Sequence, residues 1–291
     1  MNRFGYVSIV GRPNVGKSTL LNAILGEKVA IVTHKPQTTR RHLSGIYSDD
    51  DSQIVFLDSP GFHESGKPLN QAMIDEVAKV ISDADVICVM FEAGIFPTDQ
   101  DEKLWEIATR KETICLVNKA DLLNKDEVGQ FAKRLKELLN PSDILFISAK
   151  NNDGVKELVA FLKTRIPEGE AHFPKDEYAR HSVRFLTSEL IREQLFLEVH
   201  QELPYSIAVQ IDEFKEPQEA NGLTVIKATI FVERESQKPM IIGKGGKKIK
   251  EIGTRSRGEI EKLVGTKVFL DLHVKVRKDW TKDPRAVKEL L

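Results

Sequence analysis

The 291 residues of the chain exceed what one small hydrophobic core needs and suit two, since single cores stop growing near about 250–300 residues. Hydrophobic residues at 41% and charged residues at 30% exclude a disordered or a membrane-spanning chain. The net charge of −1 hides an asymmetry: residues 1–170 carry 21 Lys+Arg against 25 Asp+Glu, residues 171–220 carry 5 against 10, and residues 221–291 carry 17 against 9. A polyanionic partner is therefore expected for the last block alone.

Residues 1–10 lack the long apolar core and small-residue cleavage site of a secretory signal, which predicts a cytoplasmic protein. Residues 4–10 are an apolar run with little polar alternation, as in a strand buried on both faces. The next stretch, Gly11-Arg12-Pro13-Asn14-Val15-Gly16-Lys17-Ser18, fits GxxxxGK[ST] between that strand and a helical pattern over 17–25. Such a loop needs glycines so that backbone N–H groups can curl round phosphates, a lysine as a point charge on the β- and γ-oxygens, and a hydroxyl for Mg²⁺. Gly11 through Thr19 are thus the expected phosphate-binding stretch. The polar loop Thr33–Arg40 can fold over a γ-phosphate, and Thr39 is the threonine expected to complete the Mg²⁺ shell. Order with a bound γ-phosphate and release on its hydrolysis would make this loop a switch.

Arg41–Asp49 and Ser52–Asp58 read as a hairpin that adds one antiparallel edge strand. At its end, Asp58-Ser59-Pro60-Gly61 places a carboxylate to hold Mg²⁺ through water and the Gly61 N–H to report the γ-phosphate. Helical patterns follow near 68–82, 99–109, 126–139 and 153–164, alternating with strands at 85–91, 113–118 and 144–148. This rhythm predicts a mostly parallel, doubly wound α/β layer. Apolar runs such as 86–91 and 113–117 are too short to span a bilayer. Cys88 and Cys115 lie in those strands and read as core residues, with neither a disulfide nor a metal site implied.

Asn118-Lys119-Ala120-Asp121 follows the fifth strand. The Asp121 carboxylate can accept from both N1–H and the exocyclic amine of guanine, a donor pair that adenine lacks. Ser148-Ala149-Lys150 can close over the base, with the Ala149 N–H aimed at guanine O6. Each of these elements ends a predicted strand, where α/β sheets bind ligands. The expected catalytic set is Lys17, Thr39, Gly61 and Asn14. After Gly61, where a Ras-like hydrolase places glutamine to orient water, stands Phe62, so slow intrinsic turnover is predicted. Asn14, beside the β-phosphate, is a candidate to coordinate K⁺ where an arginine finger would act.

Residues 167–180, with two prolines, a glycine and alternating charge, read as a linker between a domain over 1–166 and one over 181–291. The second has a helix around 182–202, strands near 205–214 and 222–233, helices around 236–242 and 246–264, and a strand at 267–276. This α-β-β-α-α-β order predicts an α+β KH domain of type II. Its Ile241-Ile242-Gly243-Lys244-Gly245-Gly246-Lys247-Lys248 stretch carries a GxxG turn whose glycines admit a nucleic-acid backbone and whose lysines meet phosphates. Ile241, Ile242 and Ile249 would line the groove beneath about four unstacked bases. Arg255, Arg257, Lys275, Arg277 and Lys278 add charge, the C-terminal end reads as a basic tail, and Trp280 is a candidate to stack a base.

With both halves read, the chain resembles the Era family of bacterial GTPases over essentially its whole length. The residues carrying this are those at 11–18, Pro36–Arg40, Asp58–Phe62, 118–121, 148–150 and Ile241–Gly246. A related ribosome-assembly GTPase carries two such units, and a tRNA-modifying relative sets its unit inside a helical domain. One unit followed by one GxxG domain resembles Era. The resemblance implies GTP and GDP as ligands, Mg²⁺ as cofactor, single-stranded RNA near the 3′ end of small-subunit ribosomal RNA as partner, and a role in assembling that subunit. It also implies loose peripheral association with the inner membrane, and a monomer without a DNA partner is expected. Ser59 stands where that family usually has threonine, a change expected to be harmless. Two other readings stay open: a constitutive RNA-binding chaperone whose nucleotide domain only stabilises the fold, and a transport or translation-factor GTPase with a protein-binding tail.

Overall fold

Strand β1 (Arg3–Gly11) runs at the centre of a six-stranded sheet and is followed by helix α1 (Lys17–Leu25) in the computed structural model of the chain. The structure describes residues 2–33, 35, 37–62, 68–199, 203–217, 219 and 222–291. It divides into two units, the first comprising Met1–Val32, Thr39–Ser65 and Met73–Arg180, the second Thr33–Thr38, Gly66–Ala72 and His181–Leu291.

In the first unit β2 (Leu43–Ser48) pairs antiparallel with β3 (Ser52–Asp58), and β3 pairs parallel with β1. Beyond β1 lie β4 (Val86–Glu92), β5 (Glu112–Asn118) and β6 (Ile144–Phe146), all parallel, giving the order β2-β3-β1-β4-β5-β6. The crossovers that parallel pairing demands from β3 to β4, β4 to β5 and β5 to β6 run through α2 (Pro68–Asp83), α3 (Asp99–Ala108) and α4 (Lys125–Leu139), and α5 (Val155–Arg165) follows the last strand. Val55, Leu57, Ile87, Val89, Cys115 and Val117 share one core with Val77, Leu104, Trp105, Phe131 and Leu135 of α2, α3 and α4. Side chains alternate across a strand, so the intervening Ile54, Phe56, Cys88, Met90, Ile114 and Leu116, equally buried, fill the opposite face. There α1 lies so close to β2 that a Cβ on Gly45 would sit 2.7 Å from Leu21. Double burial explains why these strands read as unbroken apolar runs, and it pushes the thiols of Cys88 and Cys115 up to about 12.

Residues 167–180 build no core of their own, yet their polar backbone is satisfied along the first unit. Phe4 N–H donates to Pro167 O (3.2 Å) and Ile46 N–H to Tyr178 O (2.9 Å). Gln53 Oε1 accepts from His172 N–H (2.8 Å) and Phe173 N–H (2.9 Å).

In the second unit α6 (Val183–Glu198) precedes β7 (Ala208–Lys215) and β8 (Leu223–Val232), an antiparallel pair. Then come α7 (Lys238–Ile242), α8 (Lys247–Val264) and β9 (Lys267–Val276), which returns parallel to β8. The order is the α-β-β-α-α-β of the expected domain, with α6 and α8 closing over a core of Ile191, Leu195, Ile226, Ile230, Ile252 and Ile260. The end of the first predicted helix, 200–202, lies outside the described residues. Residues 205–206, read as the start of a strand, belong instead to the 3-10 turn Leu203–Ser206, where Pro204 has no N–H to give a ladder.

The C-terminal segment differs from the expectation of a basic tail. Pro284–Leu290 form α9, started by Asp283, whose side chain accepts from Arg285 N–H (2.9 Å), with Pro284 in the first turn. Trp280 is fully buried, packs with Ala208, Val287 and Leu290, and donates its indole N–H to Ser206 O (2.9 Å). It cannot stack a base. Among the described residues no helix is long and apolar enough to cross a membrane.

Candidate functional site

The phosphate-loop residues sit where β1 turns into α1. Gly16 takes a φ of 103° and lies against Asn118 so closely that a Cβ would fall 2.2 Å from its Nδ2, a position open only to glycine. Lys17 is buried, and its ammonium donates to Gly11 O (3.0 Å) and Arg12 O (2.8 Å). Burial pulls its pKa down to about 8, against the opposing pull of Asp58. Arg12 turns its guanidinium to Asp101 (Nε to Oδ1, 3.1 Å). Asn14 is exposed, in a left-handed conformation with φ of 65°; Val15 is buried and Thr19 half-buried.

The three expected Mg²⁺ ligands, from three separate elements, meet. Ser18 Oγ donates to Asp58 Oδ2 at 2.6 Å and lies 3.0 Å from Thr39 Oγ1. Burial pushes the Asp58 carboxyl up to about 6 in spite of Lys17, Ser18 and Thr39, which favour its charge. Its other oxygen, Oδ1, is buried with no hydrogen-bond partner among the described residues. A buried carboxylate oxygen left so is costly, and two hydroxyls with a carboxylate are the hard oxygen donors that Mg²⁺ takes. The residues fit the ion. His34 and Pro36 of the 33–40 loop lie outside the described residues.

After Asp58 the chain is pinned to the phosphate loop. Phe62 N–H donates to Gly11 O (3.0 Å), and a Cβ on Gly61 would fall 2.7 Å from both N and Cα of Pro13. Pro60 is buried. Ser59, within the expected nucleotide-binding stretch, donates its hydroxyl to Ile9 O (2.9 Å) and ties this turn to β1. The Phe62 ring is buried in the core, in keeping with its being no partner for water.

At the base side, Asn118 is a buried staple. Its Nδ2 donates to Val15 O (2.7 Å) and its Oδ1 accepts from Ala149 N–H (2.9 Å). The Ala149 N–H, expected to face guanine O6, is thus spent on Asn118 in this structure. Lys119, at φ of 63°, pairs with Glu92 (2.8 Å), the last residue of β4. Asp121 is exposed on the 3-10 turn Ala120–Leu122. The loop bearing Ser148, Ala149 and Lys150 is closed by paired backbone bonds between Ser148 and Asp153 (2.9 and 3.0 Å), and Lys150 is exposed. The sequence reading missed Glu92 and Asp101. Thr98-x-x-Asp101, a capping-box spacing, was the visible signal for the second, whereas nothing local marks the first.

In the second unit α7 and α8 are joined by Gly243–Gly246, with positive φ at Gly243 (74°), Gly245 (59°) and Gly246 (75°). A Cβ at Gly245 or Gly246 would meet nothing within 4 Å, so the space beside the turn is open. Lys244 and Lys247 are exposed, Lys248 and Ile242 half-buried. Ile241 is a correction: it is fully buried in the core and has no surface to offer RNA. Arg255 and Arg277 are paired with Glu198 and Glu289, which takes them from the pool of uncommitted charge.

These two sites define a class, a P-loop GTPase joined to a type II KH domain. A family model described as a 50S ribosome-binding GTPase matches residues 6–119, and one described as a KH domain matches residues 202–281. The chain is 46% identical to the GTPase Era of Syntrophus aciditrophicus, covering 99% of this chain and 95% of the relative, and 44% identical to the GTPase Era of Geobacter metallireducens, covering 99% and 97%. It matches a crystal structure of Era in complex with MgGDPNP and nucleotides 1506–1542 of 16S ribosomal RNA with a TM-score of 0.96 and 38% identity, covering 100% and 99% of the two chains. A crystal structure of a single-substitution variant of Aquifex aeolicus Era bound to GDP.AlF4⁻ gives 0.94 and 39%, covering 99% and 98%. The chain belongs to the Era family of GTPases.

Proposed function

We propose that the chain is a GTP-driven switch that binds the 3′ end of small-subunit ribosomal RNA and acts in assembling that subunit. The observation that carries the reading is the meeting of Ser18, Thr39 and Asp58 around a buried carboxylate oxygen without a partner. The N-terminal GTPase part spans 1–166, the KH part 181–291, and 167–180 joins them. The solved relative that covers the whole chain holds both MgGDPNP and the 16S segment, which supports carrying both ligands to this chain.

Ser18, Thr39 and Asp58 would hold Mg²⁺, which when bound supplies neutralising charge at the phosphates. Lys17 leaves its two carbonyl acceptors to place its ammonium on the β- and γ-oxygens, the backbone from Gly11 to Thr19 cradles them, and the Gly61 N–H reads the γ-phosphate. Asp121 accepts from the guanine edge, with Lys119, Ser148 and Lys150 around the base. Phe62 leaves the attacking water without a side chain to orient it, so turnover is slow. Asn14 assists by coordinating K⁺; equal turnover in Na⁺ and K⁺ buffers would remove that assignment. Gly243, Gly245 and Gly246 admit the RNA backbone while Lys244, Lys247 and Lys248 neutralise phosphates. The protein works in the cytoplasm as a monomer, with peripheral contact to the inner membrane; failure to sediment with anionic vesicles would remove that contact.

The test is RNA affinity, measured on a small-subunit 3′-terminal oligonucleotide with GDP and with a non-hydrolysable GTP analogue. A switch requires different affinities; equal affinities would favour the constitutive chaperone. Lys244→Glu should weaken binding by about tenfold and flatten its salt dependence, and binding insensitive to both would point to a protein-binding tail.

A further inference from the structure

Asp101 is 2% exposed, an unusual place for a carboxyl side chain, and the phosphate-loop roles described above do not use it. Its two carboxylate oxygens serve two elements. Oδ2 accepts from the Thr98 N–H and the Thr98 hydroxyl, both at 2.8 Å, which closes the capping box at the start of α3. Oδ1 holds Arg12 Nε at 3.1 Å. Removing the cation from beside a buried carboxyl group is costly, so Arg12 is held against Asp101.

What Arg12 anchors is the first half of the phosphate loop. Arg12 O accepts from the Lys17 ammonium, and Gly11 O before it accepts from both Lys17 and the Phe62 N–H. Pro13 after it is the residue against which Gly61 is pressed. Residues 11–13 therefore form the wall shared with Gly61, while Asn14–Ser18 form the remainder of the loop. We propose that Asp101 is a positioning residue for GTP hydrolysis: through Arg12 it fixes the Gly11–Pro13 wall that sets Gly61 for the γ-phosphate, and Arg12 serves as a strut and not as a finger on the phosphates. The inference rests on reading residues 11–18 as the phosphate loop. It sets apart the two nucleotides, because GDP lacks the phosphate that the wall serves.

The experiment compares dissociation constants for GDP and for a non-hydrolysable GTP analogue, both with Mg²⁺, in wild type, D101N, R12A and the double variant, with thermal melting alongside. D101N keeps an acceptor for Thr98, so the α3 cap survives, and R12A leaves that cap untouched should D101N fold poorly. Analogue affinity is expected to fall about tenfold in each single variant, GDP affinity by less than about threefold, and the double variant to be no worse than the weaker single, as for two residues acting as one unit. Equal losses for both nucleotides, additive losses in the double variant, or wild-type affinities in D101N would overturn it. So would faster hydrolysis in D101N, which would make the released Arg12 a finger. Wild-type protein that binds ATP as readily as GTP would sink the guanine reading itself, an outcome no D101N comparison can imitate.

Discussion

Asn118 has no direct claim on the reaction, yet it joins the two halves of the nucleotide site: one amide bonds both Val15 O and Ala149 N–H while the residue is 3% exposed. Asn118→Ala leaves a buried acceptor and a buried donor without partners, and such groups cost about 1–3 kcal/mol each. Urea denaturation of the nucleotide-free protein should show a loss of about 2–6 kcal/mol, with guanine nucleotide affinity falling as the two loops part; a loss under about 0.5 kcal/mol would contradict the staple. At this scale the sequence was legible where chemistry dictates residue type. Gly16, Ser18 and Asp58 were named because phosphate and magnesium each demand a particular group, and the structure gives Gly16 its positive φ and brings Ser18 to Asp58. Partners were less legible. That Ala149 N–H serves Asn118, that Ser59 ties to Ile9, and that Asp101 holds Arg12 depends on which distant segments pack together, and the spacing of a motif carries no record of that.

Elements were legible to the extent that burial has a period. The double-faced burial of β1, β3, β4 and β5 appears as plain apolar runs, and the GxxG turn stands between two amphipathic patterns. Helix α9 was missed because its seven residues span barely two turns and its charges suggested a tail, although Asp283-Pro284 is a helix start. Trp280 shows the consequence. It closes a satellite core with α9, so Trp280→Ala should destabilise the second unit by about 3–5 kcal/mol, while Lys244→Glu should leave the melting temperature within about 1 °C, as for an exposed site. If thermal melting ranked the two the other way, the core assignment would fail.

The β2–β3 hairpin offers a test by pH. Burial alone would raise the pKa of Asp49, but Lys163, the Ser52 hydroxyl and N–H, and the Asp51 N–H overcome it and hold the carboxyl at about 2. A carboxyl held below its unfolded value of 3.8 stabilises the fold above that pH and loses the contribution as pH falls through about 2. Partial exposure screens the pair, so the contribution is about 1 kcal/mol. The stability gap between wild type and Asp49→Ala should therefore shrink by that amount between pH 6 and pH 2; a gap that widened on acidification would contradict the assignment.

For the whole molecule, charge follows the division of labour. The basic block of residues 221–291 lies wholly within the unit that carries the GxxG turn, whereas residues 1–170 carry 21 Lys+Arg against 25 Asp+Glu, so polyanionic RNA is drawn to the second unit. A switch built this way works only if the nucleotide site answers to guanine, because cellular ATP would otherwise hold it in one state. Recognition of guanine by Asp121, with Lys17 and Ser18 gripping the phosphates, is the claim on which the rest depends. Calorimetric titration of the purified protein with GTP, GDP and ATP, repeated on Asp121→Asn, tests it directly. Guanine nucleotides should bind at least about a hundredfold more tightly than ATP, and the substitution should abolish that preference. ATP bound as tightly as GTP, or an unchanged preference in the variant, would contradict it.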